Sequence, residues 1–346
     1  MYNLLSRKVL VFIFLATFAV PFSSCKNKNK AEAAEFFERG NYHFQKREYE
    51  RAVELFSEAI DKVPDFADAY NNRGSAHEKL GNTAQALSDF SEAVALDDTF
   101  EKAKLNLALA YLNAGETEAA IPLLDKIKNS YADSSSYHDA MGLYYLSKNN
   151  ATEAINSFNN SLKINANNIQ TVTNKGFAYY QNKNYSKALE VFKEALEIDK
   201  EFGFANNDLS AVYAQLDDFQ EALVYSTKAV ENDPTSIVFL NTHILNLLET
   251  NQLDAAEQLI VKAEKIDPEN AYVKRNKAVF HLKKNNPFDA AEILQNLIND
   301  APDVEFCYYY YGVALQQSGK RDEACRQFKR GVILKDQRSE SAIKTC

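Results

Sequence analysis

The feature that most constrains this sequence is an internal repeat with a period of 34 residues. When the chain is followed from Ala33 in steps of 34, the twentieth position of every unit is alanine. These alanines are Ala52, Ala86, Ala120, Ala154, Ala188, Ala222, Ala256, Ala290 and Ala324. The nine units occupy residues 33–66, 67–100, 101–134, 135–168, 169–202, 203–236, 237–270, 271–304 and 305–338. A fixed period of this length predicts stacked copies of one supersecondary unit.

Each unit contains two blocks of hydrophobic residues at three- and four-residue spacing, which is the period of a helix. The eighth position is small in every copy except the seventh, which has Ile244, and the twenty-fourth is large in every copy except the sixth, which has Ser226. Between the blocks, the fifteenth position is Gly, Asn or Asp in seven copies, and only Arg47 and Lys183 depart. Gly, Asn and Asp tolerate the left-handed backbone that ends a helix. The sequence therefore predicts nine helical hairpins.

Proline stands at the thirty-second position in four copies, as Pro64, Pro234, Pro268 and Pro302. Together with the small eighth, aromatic eleventh, alanine twentieth and aromatic twenty-fourth positions, this pattern resembles the tetratricopeptide repeat (TPR). The resemblance implies an all-α fold, an α-solenoid of nine TPR hairpins that forms a right-handed superhelix. It also implies that the first helices line an inner groove, and that the chain is a scaffold for protein or peptide partners.

The chain carries 48 Asp and Glu against 39 Lys and Arg, a net charge of −9. Because nucleic acids are bound through clustered basic residues, and no repeat contains a basic stripe, nucleic acid is not predicted as a partner. The five histidines fall on packing positions, which predicts neither a metal site nor a cofactor. The sequence also lacks a glycine-rich phosphate loop, HExxH, CxxC and a nucleophile elbow, so we predict that the chain is not an enzyme.

The first 24 residues have the order of a secretory signal peptide, with Arg7 and Lys8 before an apolar run that ends at Phe22. As a helix, the run from Val9 to Phe22 would span about 21 Å, less than the roughly 30 Å of a hydrocarbon core. A cleaved signal is therefore favoured over a permanent membrane span.

The segment Phe22-Ser23-Ser24-Cys25 resembles the lipobox of bacterial lipoproteins. The resemblance implies cleavage before Cys25 and lipidation of that residue, with residues 25–32 as a tether. No acidic run follows the cysteine, which favours an exported, lipid-anchored protein of the bacterial cell envelope, at the outer membrane and facing the periplasm. An ordinary exported cysteine is the alternative.

The TPR resemblance also selects candidate partner-binding residues, because set positions of the first helix face the groove. Asparagines at the fifth and sixth positions form a broken ladder of Asn71, Asn72, Asn106, Asn174, Asn207, Asn241 and Asn276. A carboxamide both donates and accepts hydrogen bonds, so the ladder predicts a grip on the backbone of an extended peptide. The alternative is that these amides are simply solvated. A clamp for a terminal carboxylate is not favoured, because Phe37 and Asn106 replace two of its three cations.

Aromatic and cationic groove candidates concentrate in the later repeats, as Tyr180, Tyr272, Arg275, Tyr309 and Tyr310. Tyr and Arg are frequent binding hot spots, so we expect a specific partner site in the later half. The alternative is that these residues cover the end of the array.

The last repeats carry three further expectations. The tail at 339–346 is too short for the capping helix that often ends a TPR array. Among the late cysteines, Cys307 and Cys325 are predicted to lie too far apart to bond, so free thiols are expected, with Cys307–Cys346 as the pairing to test. Ile244, with Ser210 and Ser226 before it, predicts loose packing and a bend between the sixth and seventh repeats.

These observations predict a membrane-tethered adaptor that holds protein or peptide partners in its groove and serves envelope assembly or remodelling. The alternative is a structural or self-associating envelope component whose contacts lie at the exposed final repeat.

Overall fold

The computed structural model describes residues 22–346, with side chains described from residue 28 onward. The predicted signal peptide lies outside the described residues except at its last three positions. The side chain of Cys25, the predicted lipidation site, also lies outside them. Within residues 22–346 the secondary structure is helical, and the described chain divides into two compact units at Ile127.

The first unit contains three helical hairpins. Its helices are α1 (Phe22–Gln45), α2 (Tyr49–Lys62), α3 (Ala67–Lys79), α4 (Thr83–Leu96), α5 (Glu101–Asn113) and α6 (Thr117–Ile127). The segment 25–32, predicted as a tether, is helical and belongs to α1.

The second unit contains six hairpins and a terminal helix. Its hairpins are formed by α7 (Ser135–Ser147) with α8 (Ala151–Ile164), α9 (Ile169–Gln181) with α10 (Tyr185–Ile198), α11 (Gly203–Gln215) with α12 (Phe219–Asn232), α13 (Ile237–Glu249) with α14 (Leu253–Ile266), α15 (Ala271–Lys283) with α16 (Pro287–Asp300), and α17 (Cys307–Gln317) with α18 (Arg321–Ile333). The helix α19 (Gln337–Ala342) and a short 3-10 turn, Ile343–Thr345, follow. Both units are helical solenoids, as predicted. Within residues 22–346, no helix is both long enough and apolar enough to span a membrane.

The alanine register is confirmed, because each of the nine repeat alanines is at most 2% exposed. The eighth and twenty-fourth positions pack against each other within a hairpin. A Cβ added at Gly142 would lie 2.3 Å from Cε1 of Phe158, and one at Gly312 would lie 2.3 Å from Cε1 of Phe328. Glycine is therefore required wherever phenylalanine fills the partner position. The four other pairs at these positions are Ala108 with Leu124, Ser210 with Ser226, Ile244 with Ile260, and Ala278 with Leu294.

The turn at the fifteenth position is confirmed in all nine hairpins. The residues there have positive φ angles: Arg47, Gly81, Gly115, Asn149, Lys183, Asp217, Asn251, Asn285 and Gly319. Arg47 (φ 62°) and Lys183 (φ 57°) thus adopt the left-handed conformation without the residue type that favours it. The tertiary packing of the two helices imposes this turn against local preference.

The junction between the sixth and seventh repeats is packed, contrary to the expected looseness. Ser210, Ser226 and Ile244 are each 0% exposed. Asn246 Nδ2 donates to Ser210 Oγ at 2.8 Å, and Ser226 Oγ lies 2.9 Å from His243 Nδ1. The two serines are accommodated because buried polar partners take the place of the missing aromatic ring.

The C-terminal expectations were wrong in two respects. The tail does form a short terminal helix, α19, and Ser339 within it is 0% exposed and packs beside Gly331. Cys346 is bonded to Cys325, with the two Cα atoms 5.8 Å apart, and Cys307 is buried and free. The cause is that α19 and the 3-10 turn return the chain along α18, which brings Cys346 to Cys325 and not to Cys307.

Candidate functional site

In the first unit, the predicted asparagine ladder is a continuous chain of side-chain hydrogen bonds. Asn72 Nδ2 donates to Asn41 Oδ1 at 2.8 Å, and Asn71 Nδ2 donates to Asn72 Oδ1 at 3.0 Å. Asn106 Nδ2 then donates to Asn71 Oδ1 at 2.8 Å. The chain links the first helices of three successive repeats. Because every carboxamide has two donor hydrogens and two acceptor lone pairs, each retains capacity for a further hydrogen bond.

In the second unit, the predicted asparagines are mostly buried. Asn276 is 0% exposed, and its Nδ2 donates to the backbone oxygen of Asn241 at 2.9 Å. Asn241 Nδ2 donates to Asn270 Oδ1 at 3.1 Å. Asn174 is half-buried and accepts a hydrogen bond from Gln170. Asn241 and Asn276 therefore connect the first helices of the seventh and eighth repeats, whereas the contact of Asn174 lies within α9.

A cavity of about 410 Å³ lies among the first helices α9, α11, α13 and α15 and the segment that precedes α17. Its lining residues are Phe177, Asn207, Asp208, Ala211, Ala214, Ile237, Val238, Asn241, Thr242, Leu245, Asn246, Asn270, Tyr272, Arg275, Glu305 and Phe306. Four predicted site residues, Asn207, Asn241, Tyr272 and Arg275, are thus brought to one place. Its volume falls within the range of ligand pockets. We call it the inner cavity.

The wall of the inner cavity on α11 is polar. Asn207 is 6% exposed and its Nδ2 donates to Asp208 Oδ1 at 3.3 Å. Burial raises the pKa of the Asp208 carboxyl to about 7. The Oδ1 atoms of Asn207 and of Asn246 have no hydrogen-bond partner within the part of the chain that the structure describes.

The opposite wall contains Arg275, which is 3% exposed. Its Nη2 donates to Asn276 Oδ1 at 2.9 Å and its Nη1 donates to the backbone oxygen of Glu305 at 3.2 Å. The guanidinium also lies 5.2 Å from the centre of the Tyr272 ring. Arg275 is therefore held by structural contacts on three sides.

The ninth repeat returns to the fifth and closes one side of the inner cavity. Tyr180 OH donates to Glu305 Oε1 at 2.6 Å and receives a hydrogen bond from Gln215 Nε2 at 3.1 Å. The Lys183 ammonium donates to the backbone oxygen of Lys335 at 2.8 Å. Burial, with the Glu305 charge, raises the pKa of Tyr180 well above its usual value, so the phenol stays protonated and able to donate.

A second closing contact is centred on Arg338, just after the ninth hairpin. Its Nε donates to Asp217 Oδ1 at 2.8 Å, and its Nη1 donates to Glu249 Oε1 at 3.0 Å and to Tyr310 OH at 2.7 Å. The guanidinium also lies within 6 Å of four aromatic ring centres, a cation-π arrangement. These rings are Phe219 at 4.6 Å, Phe306 and Tyr309 at 5.1 Å, and Tyr310 at 5.6 Å. We call this set the Arg338 cage.

Sequence models of the tetratricopeptide repeat match residues 37–99, 78–144, 135–168, 171–202 and 205–236, together more than half of the chain. The chain belongs to the tetratricopeptide repeat family. Among curated proteins, it is 29% identical over 91 residues to mouse DnaJ homolog subfamily C member 7, a match that spans 26% of this chain and 18% of that protein.

A solved structure with a TM-score above 0.5 supports the same fold. The crystal structure of the APC/C hetero-tetramer Cut9-Hcn1 aligns with a TM-score of 0.61 at 12% identity, covering 90% of this chain and 76% of that chain. PilF of Pseudomonas aeruginosa aligns with a TM-score of 0.49 at 17% identity, covering 61% of this chain and 96% of that one.

The aromatic residues that the TPR pattern assigns to the groove differ from one another in their surroundings. Tyr272 is 41% exposed at the inner cavity, whereas Tyr310 is 3% exposed and Tyr309 is half-buried, both within the Arg338 cage. Tyr309 and Tyr310 are therefore engaged within the chain instead of standing open in the groove. The TPR pattern did not predict Glu305 or Arg338, because neither occupies a position with a defined role in the repeat. Within residues 22–346, no three His, Cys, Asp or Glu side chains are grouped to hold a metal ion.

Proposed function

We propose that this chain is a protein–protein interaction scaffold that holds an extended segment of a partner against the first helices of its TPR hairpins. The observation that carries the proposal is the inner cavity, which takes its lining from five successive repeats, the fifth to the ninth. Asn207, Asn241 and Tyr272 present hydrogen-bonding and aromatic groups into it. TPR proteins bind protein or peptide partners, and polar groups placed among apolar side chains in a pocket are typical of a recognition site.

We further propose that the scaffold is exported and anchored by a lipid on Cys25 at the outer membrane, facing the periplasm, where it serves envelope assembly or remodelling. The support is the basic, apolar and cysteine order of residues 7–25. A change of Cys25→Ser should move the protein from the membrane fraction to the soluble fraction. Membrane retention of that variant would contradict the anchor without touching the scaffold proposal.

The scaffold proposal is tested by capturing envelope proteins with the full chain and with groove variants. Asn106→Ala and Asn174→Ala should each lower partner recovery about threefold to tenfold, as expected for loss of one hydrogen bond. The matched control is Asn156→Ala, because Asn156 is exposed on the second helix α8. Equal recovery with all three variants would contradict binding through the first helices.

One observation favours self-association as a second candidate. Ile333 is 78% exposed and Leu334 is 46% exposed at the end of α18. Adjacent exposed apolar residues are suited to contact with another copy. Light scattering should then show an oligomer that Ile333→Glu converts to a monomer. A monomeric wild-type chain would leave the scaffold as the remaining candidate.

A further inference from the structure

Two residues in the lining of the inner cavity, Asn207 and Asn246, each have a buried Oδ1 atom without a hydrogen-bond partner within the described residues. Asn207 is 6% exposed and Asn246 is 0% exposed, and both line the cavity. The orientation of each amide is set by its other end, since Asn207 Nδ2 donates to Asp208 and Asn246 Nδ2 donates to Ser210. Native proteins leave few buried polar groups unpaired. The cavity is therefore built to receive a group that donates hydrogen bonds.

The charge of the cavity favours a cationic donor. Asp208 lines the cavity, and so does Glu305, whose carboxylate accepts a hydrogen bond from Tyr180. Among the described residues, Asn207 donates a single hydrogen bond to the Asp208 carboxyl group. The one guanidinium in the lining, that of Arg275, donates to Asn276 and to the Glu305 backbone. Arg275 therefore does not pair with Asp208. A cationic donor from a partner would pair with it.

The walls of the cavity suit a flat cation on a flexible stem. Phe177 and Tyr272 are 37% and 41% exposed, and Val238 is 52% exposed, so these side chains form an accessible rim. A guanidinium stacks on aromatic faces and presents five donors in a plane, whereas its methylene stem packs on aliphatic groups such as Leu245. An ammonium lacks this planar set of donors.

We propose that the inner cavity binds the guanidinium of an arginine side chain in the partner's extended segment. The assignment rests on the proposed scaffold function and names the chemistry that the site selects. The guanidinium donates to the Asp208 carboxylate and to Asn207 Oδ1, and the partner's backbone crosses the rim.

The test uses the full chain and fluorescein-labelled pentapeptides, Ala-Ala-Arg-Ala-Ala and its counterpart with citrulline, which has nearly the same shape without charge. Fluorescence anisotropy should show about tenfold tighter binding of the arginine peptide, the scale of a charge-assisted hydrogen bond. Asp208→Asn should remove that preference and leave citrulline binding unchanged. The control Asp254→Asn, at an exposed position on α14, should change neither.

Equal affinity for the two peptides would overturn the proposal, and so would an arginine preference that survives in a folded Asp208→Asn protein. A second variant, Ala211→Leu, fills the cavity without changing its charge and should abolish binding of the arginine peptide. If free arginine bound as tightly as the arginine peptide, a partner segment would not be the source of the bound guanidinium. If capture of envelope proteins still depends on Asn174 while the two peptides bind alike, only the arginine assignment fails.

Discussion

Arg338 donates to Glu249 at 3.0 Å and thereby joins the segment after the ninth hairpin to the first helix of the seventh repeat. Both side chains are about nine-tenths buried, with 10% and 11% of their surface exposed. In TPR arrays each repeat is expected to contact its sequence neighbours. The Arg338 cage and the pair of Tyr180 with Glu305 add contacts between repeats that are two to four units apart. The ninth repeat contributes Glu305 and Phe306 to the lining of the inner cavity.

Removing Arg338 should release the ninth repeat. In Arg338→Met the buried Glu249 carboxylate keeps Lys283 as a cation but loses the Arg338 ion pair, and breaking a buried pair costs up to about 3 to 5 kcal/mol. The loss should be confined to α17, α18 and α19, and hydrogen exchange measured by mass spectrometry should show faster exchange in those helices. Arg326→Met, at an exposed position of α18, is the matched control. Unchanged protection of α17 in Arg338→Met would show that the cage does not hold the repeat.

The ion pair between Arg338 and Glu249 should weaken in acid. Burial by itself raises the pKa of Glu249, but Arg338, Tyr310 and Lys283 together hold it below the ordinary value of 4.5. Because the folded pKa is depressed, the stabilisation is fully present above pH 4.5 and is lost as the pH falls through the folded value. The difference in α17 exchange between wild type and Arg338→Met should therefore shrink below pH 4.5. A difference that is constant down to pH 3 would contradict this assignment.

The contribution of Asp208 to folding stability should change with pH in the opposite direction to that of Glu249. Its pKa rises from 3.8 to about 7 on folding, so the unfolded chain loses the proton first and stability falls as the pH rises between those values. Asp208→Asn should remove this penalty, worth about 1.4 kcal/mol for each pKa unit. Urea unfolding should show a gain in stability over wild type at pH 8 that is absent at pH 4. A variant less stable than wild type at pH 8 would indicate that Asp208 is paired as an anion.

The glycine and phenylalanine pairs can be tested by a double-mutant cycle. Gly142→Ala should destabilise by about 1 to 3 kcal/mol, because its Cβ meets the Phe158 ring. In a Phe158→Leu background the same change should be neutral or stabilising, since alanine with leucine is the pair at Ala108 and Leu124. Urea melts of the four proteins give the coupling energy. Additive effects would show that the two positions do not share one space.

The local fold could be predicted from the sequence because its determinants recur within one repeat. The contact of Gly142 with Phe158 joins residues of one hairpin, and the pattern repeats it in four other copies. The left-handed turns at Arg47 and Lys183 follow from the register even though the residue type opposes them. Because the pattern recurs in nine copies, an unfavourable residue in one or two copies does not obscure the predicted turn.

The site could be predicted only in part. Asn207, Asn241, Tyr272 and Arg275, which the repeat pattern assigns to the groove, line one cavity in the structure. The burial of Tyr310 depends on Arg338, and the closure by Glu305 depends on how rotations between successive repeats accumulate. Periodicity specifies which residues face the groove, but it does not specify those angles. The Cys325–Cys346 disulfide was not predicted either, because the path of the tail lies outside the repeat.

The measurement that tests the scaffold function most directly is photo-crosslinking in cells with p-benzoylphenylalanine placed in the seventh repeat. Val238 lies at the rim of the inner cavity and is 52% exposed, whereas Val261 on the second helix of the same hairpin is 47% exposed. The full chain substituted at Val238 should form a discrete crosslinked product with a partner protein, and the chain substituted at Val261 should not. Products at Val261 alone, or at neither position, would contradict binding through the first helices.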